Sequence, residues 1–225
     1  MKRPLMLAML LPILSVPAQA ADFSALVPQG WKLDYSAEGD LNGDGQADAV
    51  IVVRGQDPAK MVRNEGLGAS ELDTNPRQLL VFLRQGQGYQ LAAANRDWLP
   101  PAGSTETPCL QDPLEEGGIG IKNGRLTVML HYWLSCGSWG VQNNTYTFRL
   151  EGRRFRLIGL DQVSYMRNSG EKTMVSTNYL SGRQKTVTGA NMFEDEPNRH
   201  RERWRNLANR TRWYLDGPLP NGDEQ

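Results

Sequence analysis

Ile119-Gly120-Ile121-Lys122-Asn123-Gly124-Arg125-Leu126-Thr127-Val128-Met129-Leu130-His131-Tyr132-Trp133 is the stretch that decides the fold class. Asn123-Gly124 stands between two apolar runs. A type I′ turn needs positive φ at both central residues, and Asn-Gly meets that demand at low cost, so the stretch reads as a β-hairpin. Thr145-Tyr146-Thr147-Phe148-Arg149-Leu150 follows with strict alternation, as a half-exposed antiparallel strand requires. The turn Glu151-Gly152-Arg153-Arg154 leads into Phe155-Arg156-Leu157-Ile158-Gly159-Leu160. Weaker strands are predicted at 173–179 and 184–188.

Upstream the pattern repeats. Trp31-Lys32-Leu33-Asp34-Tyr35 is a short alternating segment, and Ala49-Val50-Ile51-Val52-Val53-Arg54 is a continuous β-branched run of the kind found in strands buried on both faces. Leu79-Leu80-Val81-Phe82-Leu83-Arg84, Gln85-Gly86-Gln87-Gly88 and Tyr89-Gln90-Leu91-Ala92 read as strand, turn and strand. The polar stretch 55–77 is predicted to be a loop with room for one helical turn. Residues 95–117 carry Pro100-Pro101, Pro108 and Pro113, a density that suits neither a helix interior nor a central strand. The chain is therefore expected to be mainly β, with antiparallel hairpins in two adjoining halves, 21–100 and 101–190. A C-terminal α-helix and tail are expected over 191–225. There Trp204, Leu207, Ala208, Thr211 and Leu215 fall at helical spacing, Glu194-Asp195-Glu196 precedes Pro197, and Gly217-Pro218 provides a stop.

Residues 1–20 have the order of a cleaved signal peptide: Met1-Lys2-Arg3, an apolar run from Leu5 to Val16, and Pro17-Ala18-Gln19-Ala20. The apolar run is shorter than the ~20 residues a membrane span needs. No Cys follows the cleavage site to take a lipid anchor. The expected product is a periplasmic or secreted protein, neither membrane-spanning nor lipid-anchored. The charge balance is 25 Lys and Arg against 25 Asp and Glu, and 23 against 25 without Lys2 and Arg3. This gives no global reason to expect nucleic acid as a partner. Cys109 and Cys136 are the only cysteines, and in an oxidising compartment an even pair reads as a disulfide.

One stretch carries metal chemistry. Asp40-Leu41-Asn42-Gly43-Asp44-Gly45-Gln46-Ala47-Asp48 fits D-x-N-x-D-G-x-x-D. Calcium takes six to eight oxygen ligands. Alternate positions Asp40, Asn42 and Asp44 supply side-chain oxygens, Gln46 a carbonyl and Asp48 a further carboxylate. Such a set suits a hard cation and suits zinc poorly. The alternative is a metal-free turn, since Asp, Asn and Gly favour turns for conformational reasons alone. Position twelve is Ile51 where an EF-hand has Glu, and strand residues follow at once.

The stretch from Gly39 through Gly45, with Asp48 and Val50-Ile51-Val52-Val53 behind it, resembles the strand–loop–strand calcium loops of FG-GAP/VCBS repeats. The likeness covers roughly residues 30–92. It implies a β unit with a structural calcium. As a whole the chain resembles exported bacterial proteins carrying one such unit, a resemblance that implies no particular activity.

Other candidates are weaker. His131 lies in an apolar strand and His200 in the Arg-rich stretch, so neither zinc chemistry nor a Ser-His-Asp triad is indicated. Cys136-Gly137-Ser138-Trp139 lacks the second Cys of a papain-type nucleophile motif, so it reads as a tight loop beside a disulfide. Glu115/Glu116 and Glu194/Glu196 could serve a two-carboxylate glycosidase, but nothing in the sequence positions a pair. Tyr132, Trp133 and Trp139 suit either a core or a sugar-stacking surface. Arg199, Arg201, Arg203, Arg205, Arg210 and Arg212 form either a solvated face or a contact for an anionic partner. The sequence thus favours an exported, soluble, non-catalytic binding or structural module, stabilised by calcium and a disulfide, that meets an unknown envelope component or protein. An envelope hydrolase acting on glycans or peptidoglycan is the alternative.

Overall fold

The computed structural model describes residues 22–194, 200–208 and 211–220. The signal-peptide assignment, residues 1–20, lies outside them. Among the described residues thirteen strands follow one another: β1 (Trp31–Gly39), β2 (Asp48–Gly55), β3 (Met61–Arg63), β4 (Glu71–Asp73), β5 (Arg77–Gln85), β6 (Gly88–Asn95), β7 (Gly118–Lys122), β8 (Arg125–Trp133), β9 (Gly140–Glu151), β10 (Arg154–Met166), β11 (Glu171–Asn178), β12 (Arg183–Asn191) and β13 (Arg201–Asn206). They form a four-stranded sheet, β1-β2-β5-β6, a seven-stranded sheet, β13-β12-β11-β10-β9-β8-β7, and the small hairpin β3-β4. Every ladder is antiparallel.

Local sequence explains the ladders. Asn123 and Gly124 adopt φ of 53° and 68°, the left-handed pair that the β7–β8 turn requires. The β-branched run of β2 is buried on both sides. Val50 and Val52 face the large sheet, where they join Leu79, Val81, Leu126, Val128, Leu130, Phe148 and Phe155 in one cluster. Ala49, Ile51 and Val53 face the other way, under Phe23, Leu26 and Val27 of the N-terminal segment. The two halves are therefore two sheets sharing a core. The stretch 55–77 holds one 3-10 turn, Pro58–Lys60, and also the short β3–β4 hairpin.

The expected C-terminal helix is not present; the described part of 191–225 contains no helix. Arg201–Asn206 instead forms β13, paired to β12 with Trp204 opposite Lys185. The physical reason is a competition between periods. Arg201, Arg203 and Arg205 alternate with Glu202, Trp204 and Asn206, so the segment also has a period of two. An isolated helix this short is marginal without a face to bury, whereas the edge of β12 supplies a ready ladder. Trp204 remains 53% exposed, so no core was available to reward a helix. Ala208 is also exposed, and Leu207 donates its amide to the Gly182 carbonyl, extending the ladder by one bond. Thr211 is exposed, while Leu215 is fully buried beside Phe155, to whose carbonyl it donates its own amide.

One buried cation ties the four-stranded sheet to the segment that leads to the other sheet. The Arg77 side chain opens β5 with no exposure at all. Its Nε donates to Asp34 of β1 at 2.8 Å, and its Nη1 and Nη2 donate to the two oxygens of Asp112 at 2.6 and 2.5 Å. Arg54 extends the network, reaching Asp34 at 2.7 Å and Asp73 at 2.9 Å. Burial opposes the charge on Arg77, but Asp112 and Asp34 outweigh it and keep the guanidinium charged. Removing one partner of a buried pair leaves the other uncompensated, at a cost of about 3–5 kcal/mol. Arg77→Ala is expected to lower unfolding free energy by about that amount in chemical denaturation. A loss under about 1 kcal/mol would mean the pairs are solvated and contribute like surface pairs.

Candidate calcium loop and open surfaces

The loop 40–47 joins β1 to β2 across the register pair Gly39 and Asp48. Its acids are used by its own backbone. Asp40 accepts from the amides of Gly43 at 2.6 Å and Gly45 at 2.9 Å, one on each oxygen. The Asn42 side-chain oxygen accepts from Asp44 N, and Asp44 accepts from Gln46 N at 2.7 Å. Gly43 and Gly45 have φ of 82° and 80°, which permits this tight winding.

Asp48 behaves differently. It is fully buried, and its two oxygens accept from Leu41 N at 2.7 Å and Arg84 N at 2.8 Å. It therefore clamps the loop to the end of β5. Among the described residues no three His, Cys, Asp or Glu side chains converge as a metal-holding group, so Asp40, Asp44 and Asp48 are not brought together as one. Any cation here would also need the Asn42 amide oxygen and the Gln46 carbonyl.

Cys109 and Cys136 are joined, as their pairing in sequence implied, with Cα atoms 5.4 Å apart. The bond closes a separation of 27 residues, which the chain-entropy relation values at about 3–4 kcal/mol. It fastens the Pro-rich segment to the end of β8, where Ser135 N also donates to Cys109 O and Gln111 N to Trp133 O. Beside it lies a cavity of about 480 Å³ that includes Glu71, Asp73, Asp112 and Glu115 in its wall. Asp73 and Asp112 are committed to Arg54 and Arg77. Burial works against ionisation of Asp73, yet the hydrogen bonds from Asn75 and the charge of Arg54 hold its carboxyl below the ordinary value.

Of the three aromatic residues singled out by sequence, one turns to the core and two meet over a shared arginine. Tyr132 packs against the main core. Trp133 and the exposed Trp139 both stack with Arg167, whose guanidinium carbon lies 4.6 Å and 5.4 Å from their ring centres. Arg167 also donates to the carbonyls of Leu134 and Ser138, so it organises the disulfide loop. A groove of about 470 Å³ passes alongside, with Gln142, Ser164 and Thr173 in its lining. His131 contacts Asn143 through Nδ1 at 2.5 Å, an arrangement of the sheet surface. His200 is exposed, with Glu202 3.9 Å away. Of the candidate acid pairs, Glu115 and Glu116 are exposed and Glu194 is exposed, while Glu196 lies outside the described residues.

Sequence reading missed Arg77, Arg54 and Arg167, the three cations that organise the buried acids and the loop. The local signals were that Arg54 closes the apolar run 49–53 and Arg77 stands just before the run 79–83, while nothing local marks Arg167. No family model matches the chain, and no curated protein or solved structure does.

Two outcomes follow from the loop. Asp48→Ala orphans two amides, and at about 1.5–3 kcal/mol for each bond to a charged group it should cost about 3–5 kcal/mol in denaturation; a cost under about 1 kcal/mol would show that Asp48 is not a clamp. The amides of Gly45 and Gly43 hold the Asp40 carboxyl below its ordinary 3.8. The ordering it provides is thus present above pH 3.8 and lost as pH falls through the depressed value. By NMR the Asp40 carboxyl should titrate with a midpoint below 3.8, and a midpoint above it would contradict these hydrogen bonds.

Proposed function

We propose that the chain is an exported, soluble binding module without catalytic activity of its own, stapled by its disulfide and pinned by calcium at 40–48. The observation that carries this reading is the division of labour among charged groups. The buried carboxylate of Asp48 and the partly buried carboxylates of Asp34, Asp73 and Asp112 are spent on backbone amides and arginines that hold the fold. Meanwhile β13 is exposed along its whole length, and Trp139 stands 58% exposed over Arg167. Acids used this way are supports, while an open sheet with aromatic and cationic side chains is a surface for contact.

The loop chemistry supports calcium. Its donors are all oxygen, and each Asp40 oxygen accepts one amide hydrogen while a carboxylate oxygen offers two lone pairs. Asp40, Asn42, Asp44 and the Gln46 carbonyl would hold the ion, with Asp48 fixing the loop beneath. Its position between β1 and β2 supports the likeness to one FG-GAP/VCBS-like unit. The ion would supply only charge balance and rigidity there. With a dissociation constant near 0.1 mM, typical of the tighter exported sites, 1 mM calcium would contribute about 1.4 kcal/mol and raise Tm by about 3–6 °C. The rise should vanish in Asp44→Ala, and an unchanged Tm with no heat of binding would remove calcium from the reading.

The hydrolase alternative has one observation in its favour, the cavity beside the disulfide, whose lining includes Glu71 and Glu115, two acids whose carboxylates are not engaged by the arginines that hold Asp73 and Asp112. The test is direct. The processed chain is incubated with purified peptidoglycan and envelope glycans, and both retention and released fragments are measured. Retention or inertness without cleavage agrees with a binding module. Fragment release that disappears in Glu71→Gln or Glu115→Gln would replace it with the enzyme.

A further inference from the structure

The seven-stranded sheet reaches beyond its cover. All six residues of β13 are exposed, so this strand has solvent on both faces. It is also the terminal strand of the order β13-β12-β11-β10-β9-β8-β7, with one side paired to β12. The hydrogen-bond phase of that ladder can be read from its end. Leu207 N donates to Gly182 O, and the register then alternates through Arg205/Gln184, Arg203/Thr186 and Arg201/Thr188. In an antiparallel ladder only every second residue turns its amide to a given neighbour. The amides and carbonyls of Glu202, Trp204 and Asn206 therefore point to the free side.

The side chains add a charge to this edge. β11, β12 and β13 together hold six Lys and Arg and two Glu, in a chain whose total balance is zero. Arg201, Arg203 and Arg205 lie on one face of β13. On the other, Trp204 is held by Arg183 at 4.5 Å and Lys185 at 5.8 Å from its ring. Cationic side chains on an edge strand do guard against self-pairing. They do so selectively: a second copy would set arginine against arginine, which like-charge opposition disfavours, whereas an acidic strand would be attracted. A guard also has no use for an ordered, half-exposed Trp, which offers a large contact at small entropic cost.

We propose that β13 is a docking edge, and that an extended acidic segment of a partner protein adds to it as an eighth strand. Main-chain bonds to Glu202, Trp204 and Asn206 would provide affinity, and acids at alternate positions would meet the arginines, which is the β-augmentation mode of recognition. This rests on the reading of the chain as a binding module and names its partner class. It does not depend on the calcium loop.

The test separates strand addition from simple charge attraction. The processed chain is titrated with a short capped peptide alternating Glu with Val and Thr. Controls are the same peptide with Lys for Glu, and the acidic peptide methylated on alternate backbone nitrogens. Trp fluorescence and NMR amide exchange are the readouts. The acidic peptide should bind and protect the amides of Glu202, Trp204 and Asn206, and both controls should bind at least about tenfold more weakly. Glu202→Pro is the decisive variant. Proline is tolerated on an edge strand where the lost N–H faces solvent. The substitution also deletes a negative charge, so charge attraction alone predicts tighter binding, while strand addition predicts a loss of about tenfold or more. Arg203→Glu, which leaves every amide in place, should also weaken binding by about tenfold.

Unchanged or tighter binding by Glu202→Pro overturns the proposal, as does equal affinity for the methylated peptide. So does an absence of binding to the acidic peptide, or a dimer in sedimentation that Glu202→Pro dissociates. If the acidic peptide fails while envelope material is still retained without cleavage, the edge assignment falls and the binding-module reading stands. Catalytic release of fragments would remove the module reading itself.

Discussion

A guanidinium with no access to water has to be answered in full, and the answer that Arg77 receives organises much of this molecule. Its donors are taken by Asp34 from β1 and Asp112 from the Pro-rich segment, with the Pro100 carbonyl 3.4 Å from Nη1. These groups come from three parts of the chain that hydrophobic contact alone would place only loosely, because apolar burial is non-directional. The bidentate Arg–carboxylate geometry adds direction. With Asp112 fixed, Leu114 N finds an acceptor in the same carboxylate, and Leu114 is placed in the core with no exposure. The disulfide then secures the same segment a few residues earlier. Order in the linker thus follows from a charge that cannot be left unpaired.

How far the sequence foretold this depends on the range of each interaction. The hairpin turn at Asn123-Gly124, the doubly buried β2 and the winding of 40–48 are local. Their residues lie within a few positions of their partners, and period and turn chemistry were enough to read them. The Arg77 network is not local: Asp34 and Asp112 are 43 and 35 residues away. No spacing rule connects them. The C-terminal assignment failed for a related reason. Trp204, Leu207 and Ala208 satisfy a helical period and the arginines between them satisfy a strand period, and the choice was made by the open side of β12. Leu215, placed by its spacing on a helical face, is buried beside Phe155 from a short bridged stretch and not from a helix.

The same contrast applies to the candidate sites. The acidic loop was visible because its residues are consecutive. What its acids do was not, since Asp48 reaches forward to the backbone of Arg84, 36 residues on. Likewise, Trp133 and Trp139 were visible as aromatics near a Cys, while the Arg167 that stacks with both arrives from the turn just after β10. Long-range cations set the meaning of residues that local pattern could only nominate.

The C-terminal segment returns across the whole chain. Asn95, at the end of β6, donates to the carbonyls of Leu215 and Gly217, across separations of 120 and 122 residues. Leu215 and Leu219 are members of the cluster that both sheets share. A ribosome produces the N-terminal sheet long before these residues exist. Until they arrive, that cluster has a gap beside Phe155 and Asn95 has no carbonyls to meet. The native state is therefore sealed late in synthesis, and contacts of such long range close slowly. A chain built this way completes its shared core only once its C-terminal stretch has arrived, in whatever order its two sheets form.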